Sequence, residues 1–301
     1  MIYLTGACLT FGLKSSREIA LRKRMEHNYA NFFTETDGNN TPIFIVDADS
    51  KITTKGQQPI TVFNYSLAED NACLKIYADR RILTIHHTAS GNCFSIQCGT
   101  VSENNITVYK SDLAAQSVAP PHNILDHLLL FALSMSGLHH NMLLIHASST
   151  VYNGKAMMFL GESGTGKSTH SRMWLENISG TTLLNDDAPA VRLLPDGTVR
   201  TYGTPWSGKT PCYMNTSYPL EAFVRIKRAQ YNRLTRQDTI HAFGAVLPSC
   251  LPTLQQDETT LDPLCDILSS ILANVPVYVM ECLPDGDAAR VCCNGLFEYK
   301  Q

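Results

Sequence analysis

The chain has 301 residues, 44% of them apolar and 17% charged, and its formal net charge is −3. This length predicts one large unit or two closely joined ones, and the composition is typical of a globular protein. A chain so close to neutrality lacks the dense basic face that nucleic acid or an anionic membrane surface requires. We therefore expect neither nucleic acid nor a membrane as a partner.

The cysteines and the opening residues bear on the compartment. No C-x-x-C pair occurs among the ten cysteines, so their spacing carries no metal or redox signature. In the opening stretch MIYLTGACLTFGLKSSRE, charged side chains directly follow a short apolar run, which is not the pattern of a signal peptide. These features predict reduced thiols and a cytoplasmic protein.

The first part of the chain predicts a sheet. Residues 40–112 contain short runs rich in β-branched and aromatic residues, interrupted by Asn, Asp, Gly and Ser, which is typical of antiparallel strands. These runs are PIFIVDAD, PITVFNY, CLKIYAD, RILTIHHT, NCFSIQC and NITVYK. The basic run at 14–24 predicts a helix with a solvated face. We assign residues 1–120 to a β-rich region packed on the core, and residues 121–301 to a second region.

The second region alternates helical and strand periods, which predicts an α/β fold. It starts with a core helix at 124–138, an apolar stretch too short to span a bilayer. Strands are predicted at 142–146 and 156–160, with a turn at 153–155 between them. The further predicted elements are a helix at 168–178, a strand at 182–185, a strand pair around the turn at 195–197, a strand at 221–227, a helix at 261–274 and a strand in VPVYVMEC.

The stretch GESGTGKST fits the phosphate-binding pattern G-x-x-x-x-G-K-[ST]. Its glycines let backbone N–H groups converge on a phosphate, and the following helix presents its positive end. Lys167 adds a mobile cation for the β- and γ-phosphates, and the Ser168 hydroxyl reaches Mg²⁺. The strand before and the helix after favour nucleotide binding over a chance match in a surface loop. The predicted nucleotide-binding residues are Gly161, Glu162, Ser163, Gly164, Thr165, Gly166, Lys167, Ser168 and Thr169.

Two acidic residues and a histidine are candidates for the chemistry. Asp186 and Asp187 follow the predicted strand TTLLN, where a carboxylate of a P-loop protein holds the metal or activates the nucleophile. The alternative is a solvated Asp-Asp turn. His146 is predicted to end the strand before the loop strand, where a neutral imidazole can orient a proton. A satisfied core histidine is the alternative.

The stretch GTPWSGK, residues 203–209, is predicted to be a substrate loop. It combines turn residues with an exposed Trp206 and the cation Lys209, which suits a contact to a substrate or transition state. The alternative is a structural turn packed by the tryptophan.

The stretches HASSTVYNGKAMMFLGESGTGKSTHSRMW, TTLLNDDAPAV and GTPWSGK together resemble the HPr serine kinase/phosphorylase superfamily, and most closely its stand-alone HPr kinase-like members. The resemblance covers about residues 40–290. It implies the P-loop fold of the phosphoenolpyruvate carboxykinase and HPr kinase catalytic domains, with ATP and Mg²⁺ bound by Gly161 to Ser168. It also implies that Asp186 is the general base, with His146 beside it, and that Asp187 helps to hold Mg²⁺, although the division between the two aspartates stays open.

The chain also departs from that family. It has no recognisable version of the amino-terminal domain of true HPr kinase/phosphorylases, nor their carboxy-terminal signature for dephosphorylation. The substrate HPr therefore does not transfer to this chain, and whether it has phosphorylase activity stays open.

The sequence as a whole predicts an ATP-dependent kinase that transfers the γ-phosphate to a hydroxyl, on a serine of a small protein or peptide or on a small molecule. One alternative is a sensor or partner-binding module that holds ATP without transfer. Another is a carboxykinase-like enzyme, whose additional metal-binding and substrate residues we do not find. The sequence leaves open the phosphate acceptor and the nucleotide preference. It also leaves open the oligomeric state, and a homo-oligomer is one of the states considered.

Overall fold

The computed structural model describes residues 1–35, 41–54, 56–99, 102–103, 106–114, 120–208 and 210–297. The chain forms two compact units: unit 1 comprises residues 1–137 and 253–260, and unit 2 comprises residues 138–252 and those from 261 onward. Each unit is built around its own sheet, so the protein has a mixed α/β fold. Unit 1 includes the apolar helix that the sequence analysis grouped with the second region.

Unit 1 contains a ten-stranded sheet in the order β3-β1-β2-β4-β10-β8-β7-β6-β5, with β9 paired to β10. Its strands are β1 (Ile2–Gly6), β2 (Leu9–Lys14), β3 (Phe33–Thr34), β4 (Phe44–Asp47), β5 (Thr61–Leu67), β6 (Asp70–Ile76), β7 (Arg80–His86), β8 (Cys93–Gly99), β9 (Ser102–Glu103) and β10 (Ile106–Ser111). Its helices are α1 (Glu18–Tyr29) and α2 (His122–Gly137). All six strand runs predicted between residues 40 and 112 are confirmed as strands.

The sheet of unit 1 differs from the predicted one at its first strands. The opening residues form the hairpin β1–β2, which the sequence analysis missed. Its turn places Ala7 and Cys8 at φ values of 53° and 57°, a conformation usually taken by Gly, Asn or Asp, so the turn carries no sequence signal. In addition, β4 runs parallel to both β2 and β10, so the sheet is mixed rather than antiparallel throughout.

The helix α2 is the predicted core helix. It buries apolar side chains such as Leu125, Leu128 and Phe131, and it packs on β7 and β8 of the unit 1 sheet. The helix α1 begins at Glu18, later than predicted, because β2 extends through Lys14. Among the residues that the structure describes, none of the helices has the length and apolar character needed to cross a membrane.

Unit 2 contains a nine-stranded sheet, in which β11-β15-β16-β17-β13-β12-β14 form one path, β19 pairs with β17, and β18 pairs with β19. Its strands are β11 (Met142–Leu144), β12 (Ala147–Tyr152), β13 (Lys155–Leu160), β14 (Thr182–Asn185), β15 (Ala190–Leu193), β16 (Val199–Tyr202), β17 (Ser217–Arg228), β18 (Arg233–Arg236) and β19 (Val277–Cys282). Its helices are α3 (Lys167–Asn177), α4 (Thr239–Val246), α5 (Glu258–Leu272), whose first turn belongs to unit 1, and α6 (Gly286–Phe297).

A parallel core supports the centre of unit 2. β17 runs parallel to β13 and to β19, and α3 and α6 pack against each other beside these strands. Both faces of such strands are buried, which explains their nearly continuous apolar sequences. The side chains at the centre of this core are fully buried, and they include Met157, Phe159, Trp174, Val224 and Met280.

Most predicted elements of unit 2 are confirmed to within a few residues, but one strand was misplaced. The predicted strand at 142–146 ends at Leu144, and a separate strand, β12, begins at Ala147. His146 lies between the two, and its backbone N–H donates to the Ser249 carbonyl at 2.8 Å instead of to a sheet partner. The strand β12 is the direct hairpin partner of β13, so this correction changes which strand brings His146 to the loop.

Candidate functional site

Three chain segments meet at one edge of the unit 2 sheet. β12 pairs antiparallel with both β13 and β14, so its first residues lie beside the last residues of these neighbours. The register sets Ala147 opposite Leu160, which precedes the GESGTGKST loop, and Ser149 opposite Asn185, which precedes the two aspartates. The histidine, the loop and the aspartate pair therefore come together as the sequence predicted.

The loop at 161–166, which is the glycine-rich part of GESGTGKST, joins β13 to α3 through glycines with left-handed backbone. Gly161, Gly164 and Gly166 have φ values of 151°, 80° and 116°, which residues with a Cβ rarely adopt. Gly166 immediately precedes α3, and the first-turn N–H groups of a helix have no intrahelical acceptors. Strand, loop and helix thus follow one another in the order that anion binding by this motif requires.

Lys167 is folded back onto the loop. Its Nζ donates to the carbonyl oxygens of Gly161 at 2.8 Å and Glu162 at 3.3 Å, and the residue is 8% exposed. Burial lowers the pKa of the lysine, while the charges of Asp187 and Asp186 raise it. The ammonium group therefore lies within electrostatic reach of both aspartates.

The remaining loop side chains differ in their availability to a ligand. Thr165 Oγ1 donates to the Glu162 carbonyl at 2.8 Å and braces the loop. Ser163 and Ser168 are exposed, and Thr169 is partly buried. The Ser168 hydroxyl has no hydrogen-bond partner within the described residues. A free hydroxyl in the first turn of α3 fits the oxygen-ligand preference of Mg²⁺.

Asp186 is buried and fixed. It is 5% exposed, its Oδ1 accepts from the Ser148 hydroxyl at 2.8 Å, and its Oδ2 accepts from the backbone N–H of Thr210 at 3.3 Å. The Ser148 hydroxyl is also 2.6 Å from the Ser171 hydroxyl, and both serines are buried. Both carboxylate oxygens therefore have protein donors. No sequence pattern marks these serines, because they lie on a strand and a helix without motif spacing.

Asp187, by contrast, is half-exposed. Its side chain is 46% exposed, and its Oδ1 lies 3.6 Å from Nε2 of His146, which is 45% exposed. Burial lowers the pKa of His146 below its usual 6.5, the nearby Lys167 lowers it further, and Asp187 raises it. The imidazole is therefore neutral at neutral pH and can act as a hydrogen-bond partner of the carboxylate.

Asn185 shapes the turn that carries the two aspartates. Its Oδ1 accepts from the backbone N–H groups of Asp187 and Ala188, both at 3.0 Å. Its Nδ2 donates to the carbonyl oxygens of Thr204 at 3.2 Å and Trp206 at 3.0 Å. A single buried amide therefore ties the aspartate turn to the loop after β16, and the sequence analysis overlooked it.

The predicted substrate loop GTPWSGK lies against the aspartate turn, but its tryptophan is not exposed. A Cβ on Gly208 would lie 2.9 Å from the Asp186 carbonyl, so the two backbones are in close contact. Trp206 is 4% exposed, and the expectation of an exposed indole is wrong. The anchored Trp206 carbonyl fixes this loop, and the indole is buried rather than offered to a ligand. Lys209 lies outside the described residues.

Two arginines near the end of β17 flank the loop. Arg225 lies opposite Leu160 in the parallel pairing of β17 with β13, and its guanidinium is 3.9 Å from the Glu162 carboxylate. Arg228 donates to the Gly164 carbonyl. The strand was predicted but its arginines were given no role, because the parallel pairing that brings them to the loop is not visible in the sequence.

A cavity of about 400 Å³ opens beside the start of α3. It extends from the loop to the ends of β17 and β19, and apolar side chains form much of its wall. Its apolar and polar lining includes Met173, Ile226, Cys282, Leu283, Thr169 and Gln230. The cavity is therefore continuous with the GESGTGKST loop, since Thr165 and Gly166 also line it.

His170 of α3, which also lines this cavity, predicts an acid-sensitive stability. It is fully buried, and burial lowers its pKa from 6.5 to about 4. Between these pH values His170 is protonated in the unfolded chain but stays neutral in the folded protein. The free energy of unfolding therefore decreases as the pH falls, by about 3 kcal/mol in total. His170→Gln, which can still accept from the Trp174 indole N–H, should lack this loss in urea unfolding at pH 7, 6, 5 and 4.

The pH slope, not the absolute stability, is the measured quantity for His170. His139→Gln, at an exposed position in the same unit, is the control and should keep the wild-type slope. Equal slopes for His170→Gln and the wild type would contradict the burial-induced pKa.

Compared with known protein families and with curated proteins, this chain matches none. The resemblance to HPr kinase-like proteins therefore rests on the motifs quoted above and stays a prediction. The structure establishes a mixed α/β fold with two sheets.

Proposed function

We propose that this protein is an ATP-dependent phosphotransferase that passes the γ-phosphate to a hydroxyl group. The observation that carries the proposal is the meeting, at one sheet edge, of a phosphate-binding loop, its lysine and a half-exposed carboxylate next to a neutral histidine. A protein that only binds nucleotide needs the loop but has no use for the carboxylate and histidine. The proposed acceptor is a serine of a small protein or peptide, or the hydroxyl of a small molecule.

Within this proposal, Asp187 rather than Asp186 takes the acceptor's proton. A general base must come within hydrogen-bond reach of the hydroxyl. Asp187 is 46% exposed, whereas Asp186 is 5% exposed and both of its oxygens already accept hydrogen bonds. The neutral His146 orients the Asp187 carboxylate and can accept the proton from it. The family resemblance implied the opposite assignment, with Asp186 as the base and Asp187 at the metal, and left the division open.

The rest of the proposed mechanism is positioning and electrostatics. Loop N–H groups and Lys167 bind the β- and γ-phosphates, and Arg225 adds positive charge beside the loop. Ser168 and Asp186 would hold Mg²⁺, which when bound neutralises phosphate charge.

The cavity beside α3 is the proposed site of the nucleoside. Its volume of about 400 Å³ lies within the range of small-molecule sites, which are mostly apolar with a few polar groups. Met173 and Ile226 offer an apolar wall for a planar base, and Gln230 offers an amide for its edge. Because Thr165 and Gly166 belong to the loop and also line the cavity, a nucleotide can occupy the two together.

The phosphotransferase proposal is tested with ATP labelled in its γ-phosphate. Purified protein, Mg²⁺ and a panel of serine peptides and small alcohols should give label transfer that EDTA and Lys167→Ala both abolish. Leu175→Ala, at an exposed position on α3, is the control and should transfer normally. Tight ATP binding without transfer to any acceptor would instead favour the nucleotide-sensing module.

A substitution in the proposed nucleoside site should distinguish binding of the base from binding of the phosphates. Met173→Trp fills the cavity, so calorimetry should show at least a tenfold loss of ATP affinity, about 1.4 kcal/mol, and an unchanged affinity for inorganic tripolyphosphate. Leu175→Trp, on an exposed part of the same helix, should change neither affinity. Equal losses for ATP and tripolyphosphate in Met173→Trp would place the effect on the loop and contradict the assignment of the cavity.

A further inference from the structure

Unit 1 contains a pocket of its own, with a volume of about 270 Å³. We propose that this pocket binds a small, multiply charged oxyanion, a phosphate ester or a polycarboxylate. The residues described around it all have polar side chains: Lys51, Thr53, Gln57, Arg80, Gln97 and Lys110. The proposal is independent of the phosphotransferase activity proposed for unit 2.

The sheet of unit 1 brings part of this lining onto one face. Lys110 of β10 lies opposite Gln97 of β8, which lies opposite Ile82 of β7. Residues directly opposite each other share a face of the sheet, as do residues two apart along a strand, so Arg80 belongs to the same face. Ile82 is only 4% exposed and the Arg80 side chain is 11% exposed. Gln97 and Lys110 are partly buried, whereas Lys51, Thr53 and Gln57 are exposed, so the charged side chains line a pocket that is open on one side.

Arg80 is held in place before any ligand binds. Its side chain is 11% exposed, it donates to the Asp79 carboxylate at 2.7 Å, and it donates to the Gln57 side-chain oxygen. Its guanidinium also lies over the Tyr77 ring, 4.7 Å from the ring centroid. The bond to Gln57 ties the chain segment after β4 to the start of β7. Because Asp79 already offsets the charge of this fixed guanidinium, the two lysines supply the net positive charge that attracts an oxyanion.

The positive charges of the two pocket lysines are not neutralised by carboxylates of the described residues. Within the described part of the chain, neither Lys51 nor Lys110 forms an ion pair. Asp47 lies opposite Lys110 in the register, yet it accepts a hydrogen bond from a backbone N–H two residues further on instead of pairing with the lysine. Asp79 is committed to Arg80.

The lining also defines the class of ligand. Cations, amides and a hydroxyl favour an oxyanion, and an apolar ligand would find no matching surface among the described lining residues. The volume lies just below the range of sites for larger organic ligands, so a compact anion fits best. Phosphate and carboxylate groups share this chemistry, and the experiment separates them.

The test uses the Lys167→Ala protein with both units present, in which the loop of unit 2 has lost its lysine. Calorimetric titration with citrate and with pyrophosphate at low ionic strength should show binding of at least one of them. Lys110→Glu in this background should weaken that binding at least tenfold, and Lys51→Ala/Lys110→Ala should do the same. Binding should also fall as salt is raised to physiological strength, since ions screen the attraction.

Lys23→Glu, a charge reversal of the same size at an exposed position of α1, is the matched control and should leave binding unchanged. A circular dichroism melt of each variant shows whether the protein is still folded. The proposal is overturned if neither anion binds in the millimolar range. It is equally overturned if Lys110→Glu and Lys23→Glu have the same effect, since the attraction would then come from overall charge rather than from the pocket.

Discussion

An Asp187→Asn protein is expected to transfer phosphate about a thousandfold more slowly than the wild type, because loss of a general base costs between about a hundredfold and ten-thousandfold. Asn has almost the same shape as Asp but cannot take up the acceptor's proton. The affinity for ATP and Mg²⁺ should stay nearly unchanged, since the loop and Lys167 are intact. Single-turnover transfer of labelled phosphate and calorimetry with ATP measure the two quantities separately.

Asp186→Asn is the matched comparison for this prediction. The side-chain amide would face the donors of Ser148 and Thr210, and the proposed Mg²⁺ ligand would lose its charge. We expect a higher Mg²⁺ requirement and weaker ATP binding. His146→Gln should slow transfer about tenfold, as expected for a group that orients the base. Normal transfer by Asp187→Asn, together with a loss of transfer but not of binding in Asp186→Asn, would return the base to Asp186.

The sequence predicted individual strands better than their pairing. Alternating β-branched and aromatic residues are a local signal, and runs such as PITVFNY and CLKIYAD are the strands β5 and β6. The parallel pairing of β4 with β2 and β10 joins segments far apart in the chain, and no local pattern encodes it. The hairpin β1–β2 was missed for a different reason, because Ala7 and Cys8 are not the usual residues of its turn.

The site was predictable where a backbone conformation demands a particular residue. The glycines of the loop are such a case, because their positive φ values exclude most other residues. The burial of Trp206 was foreseen only as the alternative, a turn packed by the tryptophan, because the exposed fraction of a side chain depends on tertiary packing that no local pattern encodes. Ser148 and Arg225 were missed because strand pairing, rather than spacing in the sequence, brings them to the sheet edge.

The first glycine of the loop gives the second large expected effect. Gly161 has a φ of 151°, and a Cβ there would overlap the Thr165 hydroxyl that braces the loop. Gly161→Ala must therefore shift the loop, at a cost of about 1–3 kcal/mol for the backbone strain alone. We expect the affinity for ATP and for tripolyphosphate to fall together, by about a hundredfold, as measured by calorimetry.

Alanine substitutions at two other glycines distinguish the effect of the Cβ clash at Gly161 from the effect of backbone strain. Gly164 has a φ of 80° and open space where a Cβ would lie, so Gly164→Ala should weaken phosphate binding less than Gly161→Ala does. Gly180 has a φ of 85° and similar open space in the turn after α3, so Gly180→Ala should lower stability without changing phosphate affinity. If Gly161→Ala binds ATP as tightly as Gly180→Ala does, the loop does not cradle phosphate. That result would also contradict the proposal that this protein is a phosphotransferase.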